Sequence, residues 1–348
     1  MSDASKISVA MATCNGGKYL SEQLESLTKQ RHLPFELVAC DDGSTDGTVE
    51  ILNEFRKVAP FAVHVYRNKQ NLGYADNFFK AASLCSGDWV AFCDQDDVWL
   101  PNRLADVGAA IASGTRANII LQNAILSHED LTSNGRLFPA RIKPGYHRPR
   151  SQYGFWVWPG FLKTVRASCF KVRWAKRPRS YFPGDGVMSH DKWTCLIANA
   201  TGGVLVLPEP AALYRRHGAA LTGDYAAQSW SQRIGKALPV SGDHYAFLAE
   251  VALETADYLR RIAEQDHNFC KKDFLKAAQG FDQIAKVLSD RSVIYKSGNI
   301  LVRLRSLASI ALAGGYVGPR MFALGLGSAA KDVLQAIGVL EALRTRSA

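Results

Sequence analysis

Over residues 7–126 the chain alternates short apolar runs with stretches of helical periodicity, and its acidic turns fall directly after apolar runs. Ile7–Thr13, Glu36–Cys40, Ala62–Tyr66, Trp89–Cys93 and Asn118–Leu126 read as strands. Between them, Lys18–Gln30 carries Leu20, Leu24 and Leu27 on one helical face, and the segment after Asp46 carries Val49, Leu52 and Phe55. Tyr74–Leu84 predicts a third helix, and Pro101 stands where a first-turn proline opens a fourth. A βαβα order with short connections is satisfied by an α/β fold: a mostly parallel sheet with helices on both faces.

The remainder is organised differently. Residues 127–242 are irregular and rich in Pro, Gly and Trp, with a short helix near Asp191–Ala198 and a strand at Val204–Leu207. Beyond Gly242 the periodicity is helical, through Phe247, Leu248, Val251, Thr255, Tyr258, Leu259 and Ile262, and again through Phe274, Ala278, Phe281, Ile284 and Leu288. At 348 residues and 47% hydrophobic, the chain can bury a large core, which excludes intrinsic disorder. The expected division is 1–221, in halves 1–126 and 127–221, followed by a helical region at 222–348. No run is long enough to span a bilayer and the first residues lack the order of a signal peptide, so the expectation is a cytoplasmic protein. Seven cysteines lie singly, without metal-ligand spacing, and read as reduced thiols; Cys40 and Cys93 end apolar runs expected to be neighbouring strands.

Charge is unevenly placed. Residues 131–184 hold twelve Lys or Arg and no acid, against a net charge of +10 for the whole chain. Interleaved with Tyr146, Tyr153, Phe155, Trp156, Trp158 and Trp174, this block suits phosphate groups on a lipid, nucleotide or other polyanion. From Arg291 onward eight cations face two acids, and Ile300–Leu312, with Arg303 and Arg305 inside it, reads as an amphipathic helix suited to interfacial membrane contact or to docking.

In an open α/β sheet, ligands bind past the carboxyl ends of the strands. Three polar clusters fall there: Thr13-Cys14-Asn15-Gly16-Gly17, Asp41-Asp42-Gly43-Ser44 and Asp94-Gln95-Asp96-Asp97. Two acidic turns at adjacent strand ends bring like charges together, and a hard divalent cation resolves that repulsion, being held by one or two carboxylates plus water and phosphate. Asp94 and Asp96 suit a ribose hydroxyl and a metal, and Asp41 or Asp42 can accept from a base N–H.

The segments Ser8–Gly16, Asp41–Asp46, Asn71-Leu72-Gly73 with Asn77, and Phe92–Trp99 resemble the nucleotide-sugar-binding half of glycosyltransferase family 2, and the D-Q-D-D-x-W form is most similar to its rhamnosyltransferase-like branch. The resemblance implies a GT-A fold, a nucleoside-diphosphate sugar donor (UDP or dTDP) and Mg²⁺ or Mn²⁺. It further implies nucleotide-sugar contacts from Thr13, Asn15, Asp41, Asp42, Asn71, Gly73, Asn77 and Asp94. Ser189-His190-Asp191-Lys192-Trp193 is similar to the family's acidic motif, with Asp191 as catalytic base, and Leu213–Gly218 to its Y-R-x-H-G segment, where Arg215 and Arg216 support the diphosphate and His217 joins Asp96 at the metal. Cys14 stands where the family commonly has an aromatic residue.

The expected chemistry is a single inverting displacement at the anomeric carbon, onto a hydroxyl of a glycan or lipid-linked glycan acceptor, with peripheral membrane contact and no nucleic acid partner. Two rivals remain: a sugar nucleotidyltransferase, disfavoured because only Lys18 accompanies the first glycines, and a non-catalytic polyanion- or glycan-binding module.

Overall fold

The computed structural model describes residues 5–137, 143–172, 174–218, 240–265 and 269–340. Ten strands form one sheet: β1 (Ile7–Thr13), β2 (Glu36–Asp41), β3 (Ala62–Arg67), β4 (Trp89–Cys93), β5 (Val98–Trp99), β6 (Ile119–Ser127), β7 (Ser133–Arg136), β8 (Gly145–His147), β9 (Lys163–Arg166) and β10 (Val204–Arg215). Their order is β3-β2-β1-β4-β9-β6-β10-β5, with β7 on β6 and β8 on β10. The half built from β3, β2, β1 and β4 is parallel throughout, and β9 then inserts antiparallel to both β4 and β6. Nearly every residue of β1, β2 and β4 is buried, as expected of central strands covered on both faces, whereas β3 is the exposed edge.

Four helices return the chain between the first strands: α1 (Leu20–Thr28), α2 (Thr48–Val58), α3 (Tyr74–Leu84) and α4 (Arg103–Ala112). The predicted α/β alternation is therefore present, with helix ends shorter than the periodicity suggested at α1. The strand read at Val204–Leu207 runs on to Arg215, its register broken near Pro210, and it carries the tail of the motif back to the sheet's functional end. Cys40 and Cys93 do not lie on neighbouring strands: β2 and β4 flank β1, and all seven thiols are free.

A fifth helix, α5 (His190–Thr201), is buried on almost every side because the C-terminal helices close over it. These are α6 (Gly242–Gln265), α7 (Lys271–Lys296), α8 (Ile300–Leu312) and α9 (Leu326–Ala336). Trp193 donates its indole N–H to the Tyr258 hydroxyl at 2.7 Å, and Gly154 is a glycine because a Cβ there would lie 2.4 Å from Ile284. The expected division at 221/222 lies outside the described residues, but α6 and α7 share one hydrophobic core with the sheet region.

That docking also engages part of the cationic block. Arg150 pairs with Asp273, Arg177 with Asp76, and Arg179 with Glu250 and Glu254, while Lys163 is wholly buried and Arg166 lies 4.4 Å over the Trp89 ring. The block's aromatics are used similarly, Phe155 against Phe281 and Trp174 stacked on Phe79. Three cations that look free in a one-sided segment are matched by acids on α3, α6 and α7, and Lys163 and Arg166 are held by backbone carbonyls and packing.

Candidate active site

Beyond the carboxyl end of β4 the chain turns through Asp94-Gln95-Asp96-Asp97 before β5 pairs with β10. One carboxylate oxygen from each of Asp94, Asp96 and Asp97 falls within 4.8 Å of the others. Burial pushes the Asp94 carboxyl up, and the neighbouring Asp96 and Asp191 charges add to it; Asp97 is raised by burial and by Asp96 and Asp94. Asp97 accepts the Arg215 backbone N–H through Oδ1 at 3.1 Å, while its buried Oδ2 has no partner. Three close carboxylates with a buried orphaned oxygen fit a divalent cation's donor set. Asp97 joins this cluster, and Asn102 stands at the cap position of α4.

His217 reaches the same place from the end of β10, its Nε2 3.0 Å from Asp96 Oδ2, with its ring 4.7 Å from that of Tyr19. The two predicted metal ligands, Asp96 and His217, are thus in contact. Arg216 follows the strand and, with His128, Glu129, Asp130, His217 and Gly218, lines an open depression of about 670 Å³ beside the cluster.

Arg215 is different. Its guanidinium donates to Glu22, to the Asp96 carbonyl at 2.9 Å and to the Glu129 carbonyl at 2.8 Å, and it stacks 4.7 Å over Tyr19. Expected to contact the diphosphate, it is buried and fully engaged, so it clamps the acidic turn to α1 and the end of β6.

The first and second clusters organise a rim beside that turn. Asp41 accepts from Thr13 Oγ1 at 3.1 Å and from the Gly43 and Ser44 amides, which fixes the turn after β2. Asp42 accepts from the Leu72 and Gly73 amides, both at 2.8 Å, and from Asn68, while Asn71 donates to the Asp42 carbonyl. Gly73 has φ +78°, a conformation that a side chain resists, and it opens α3. Asn15, at φ +49°, accepts the Thr45 amide. Thr13, Asn15, Asp41, Asp42, Asn71 and Gly73 therefore form one connected rim. Asn77, expected to reach the sugar nucleotide, is buried below it, donating to the Cys40 carbonyl at 2.8 Å and accepting from Asn68, so its place is in the rim's foundation.

Asp191 enters from the opposite side, in the first turn of α5. Its Oδ1 accepts from Ser189 Oγ and the Lys192 amide, leaving Oδ2 without a partner among the described residues. Burial works to raise this carboxyl, but His190, Lys163, Ser189 and Lys192 outweigh it and hold it below the ordinary range. His190 is itself lowered to about 4 by burial between Phe78 and Phe92, so the standing charge nearby is that of Lys163, whose ammonium donates to the Asp191 carbonyl. Gly160 makes this seat possible, since a Cβ there would stand 2.2 Å from His190 Nε2.

Several participants escaped the sequence reading. Gln95 accepts the Cys14 amide at 2.9 Å and donates to the Cys14 carbonyl at 3.1 Å, pinning the first loop across the cleft. Gly16 allows that approach, a Cβ there lying 2.2 Å from Gln95 Oε1. Arg103, wholly buried and lowered to about 10 by that burial, lies 3.7 Å from the Trp99 ring centroid and under the acidic turn. Trp99 is accordingly a core residue. Glu129 stands two residues past β6, a strand-end position that the same rule could have flagged.

The glycosyl transferase family 2 model matches residues 8–173. An uncharacterized glycosyltransferase of Nostoc sp., alr2836, is 32% identical over 128 residues, 36% of this chain and 39% of that protein. The dTDP-rhamnosyl transferase RfbG of Shigella flexneri is 34% identical over 98 residues, 27% of this chain and 34% of that protein. The chain spans about half the length of the curated relatives it matches. Among solved structures, S. aureus TarS 1-349 in complex with UDP-GlcNAc superposes with a TM-score of 0.54 at 21% identity, over 98% of this chain and 92% of that one, which shows a shared fold. Residues 8–173 of this chain, with the strand-end carboxylates at their centre, thus match the glycosyl transferase family 2 model, and the chain has the GT-A fold of its structural neighbours.

Proposed function

We propose that the protein transfers a sugar from a nucleoside-diphosphate donor to an acceptor hydroxyl by a single inverting displacement. The observation that carries this reading is the convergence of Asp94, Asp96, Asp97 and His217 at the strand ends, with Asp191 close enough across the cleft to raise Asp94 electrostatically. Asp94, Asp96, Asp97 and His217 are the residues that would hold Mg²⁺ or Mn²⁺, and a divalent cation there supplies charge stabilisation to a departing diphosphate.

Asp191 is the base. Held ionised through the neutral range, it takes the acceptor hydroxyl proton through its unpartnered Oδ2 as the acceptor oxygen attacks the anomeric carbon and the bond from that carbon to the diphosphate breaks. No covalent glycosyl intermediate is required. Arg216, on the open depression beside His217, supports the diphosphate, and the Thr13, Asn15, Asp41, Asp42, Asn71 and Gly73 rim receives the nucleoside.

The donor is a uridine or thymidine diphosphate sugar. RfbG is named a dTDP-rhamnosyl transferase and TarS is seen with UDP-GlcNAc; the motif's likeness to the rhamnosyltransferase branch favours dTDP-rhamnose. The acceptor class is a glycan or lipid-linked glycan. The test is a panel of UDP-, dTDP- and GDP-sugars assayed for slow nucleotide release with Mn²⁺ or Mg²⁺ and then with EDTA. Cation-dependent release from one donor is the expected result; no release, together with no cation-dependent nucleotide binding by calorimetry, would overturn the proposal.

A further inference from the structure

Helices α8 and α9 are packed with reversed polarity. The side chains that α8 buries are Arg303, Ser306 and Ile310, and those that α9 buries are Asp332, Gln335 and Ala336. Arg303 turns inward, its guanidinium donating to the Ser297 and Gln335 carbonyls inside the helical tip. Asp332 is wholly buried and accepts from Arg291, Tyr295 and Tyr316.

Ile310 and Leu307 of α8 and Ala329 and Ala336 of α9 pack inward, but most of the large apolar side chains point outward. On α8, Ile300, Leu301, Leu304, Ala308 and Leu312 recur at helical spacing along one exposed stripe, Leu301 being 72% and Leu312 90% exposed. On α9, Leu326, Val333, Leu334 and Ile337 do the same, with Leu326 72% exposed, and Val317 between the helices is 78% exposed. Scattered single apolar residues on a surface are ordinary, but two consecutive helices that bury their polar groups and present their aliphatic ones are not.

Charge decides the occupant. Asp332 is the only acid between Ser297 and Leu340, and it is wholly buried. Arg305 and Arg320 are exposed beside the aliphatic stripes. An aliphatic face whose own two helices carry exposed arginines and no exposed acid, the nearby Asp290 of α7 being engaged by Ser309, is complementary to an anionic phospholipid surface, where side chains enter the headgroup and acyl boundary while arginines meet phosphates. No helix among the described residues is long and apolar enough to cross a membrane, so the contact lies in the plane of the surface.

We propose that the α8–α9 tip docks this protein on an anionic phospholipid membrane. The inference stands on the polarity of these helices alone and does not depend on the glycosyl-transfer reading. Its test is cosedimentation of the full chain with phosphatidylglycerol–phosphatidylcholine vesicles against pure phosphatidylcholine vesicles. Partition onto the anionic vesicles is expected to be roughly tenfold or more stronger, weakening with salt. The variant L301E/L312E changes exposed residues, so it should melt like the parent and bind nucleotide unchanged while losing roughly tenfold or more of the vesicle binding. R305E/R320E should lower the preference for anionic lipid and leave the melt intact. Absence of binding to any vesicle, or L301E/L312E binding as well as the parent, would overturn the proposal. So would a concentration-dependent dimer in light scattering that L301E/L312E makes monomeric without any vesicle binding, which would assign the face to a second copy.

Discussion

Two of the places where the molecule buries carboxylates do so under opposite conditions. In the helical tip, Asp332 is surrounded by donors: Arg291 Nε and Nη2 and the hydroxyls of Tyr295 and Tyr316. In the strand-end cleft, Asp94 and Asp97 are raised by burial and by each other's neighbours, Asp97 Oδ2 has no partner, and the nearby Arg103 keeps two of its nitrogens unpaired. A buried charge that is fully paired holds structure; one left short of partners costs stability unless a ligand completes it. The difference separates a structural ion pair from a binding site without reference to any other protein.

Chemistry offers the sharpest way to break that contrast. Asp191→Asn should lower turnover by about 10²- to 10⁴-fold while leaving cation-dependent donor binding intact, measured by nucleotide release and calorimetry. Near-normal turnover in a folded variant would remove Asp191 as the base.

Stability comes next, and here the two regions should respond with opposite signs. Asp332→Ala strands Arg291 inside the tip and should cost about 3–5 kcal/mol in denaturant melts. Asp97→Asn keeps an oxygen for the Arg215 amide and removes a repelled charge, so the metal-free protein should be as stable as the parent or more so, with cation binding weakened. A large loss from Asp97→Asn would make the acidic cluster structural.

Protons distinguish the regions further. His190, lowered to about 4, stays neutral in the fold, whereas the unfolded chain takes up a proton near pH 6.5. Its contribution is whole above pH 6.5 and is lost as pH falls toward 4, on the order of 3 kcal/mol in all. His190→Gln should flatten that slope in pH-dependent melts. Asp94, raised to about 8, acts in reverse: its ionisation destabilises the metal-free fold progressively from pH 4 to 8. The Tm increase from Mn²⁺ should therefore grow across that window.

Smallest is Gln95→Ala, which removes two hydrogen bonds to Cys14 at an exposed site. About 1 kcal/mol of stability should go, with a weaker nucleotide affinity as the first loop loosens. An unchanged affinity would free the loop from any role in the rim.

The acidic turns and strand ends were readable in order because the residues that make them are contiguous and the pattern is local: apolar run, then Asp, then Gly or Asp. The same locality explains why Asp96 and His217, far apart in sequence, could be paired only through a motif. Arg215 and Asn77 show where such transfer stops. Each sits in a motif position, yet each is buried with its polar atoms engaged, and engagement depends on Glu22, Glu129 and Asn68, which lie outside the motifs.

For the cationic block, sequence records sign but not partner. Twelve cations without an acid suggest a free surface, and only the return of α3, α6 and α7 supplies Asp76, Asp273, Glu250 and Glu254.

The sequence by itself determined the α/β alternation, the carboxylates at the strand ends and the helical character beyond Gly242, because hydrophobic period and turn chemistry act over a few residues. Tertiary structure alone decided which charges are paired, that Lys163 and Arg103 lie beneath the cleft, and that α8 and α9 turn their arginine and aspartate inward. Burial and pairing are properties of what packs from elsewhere in the chain, and a helical period is the same whichever face ends up inside.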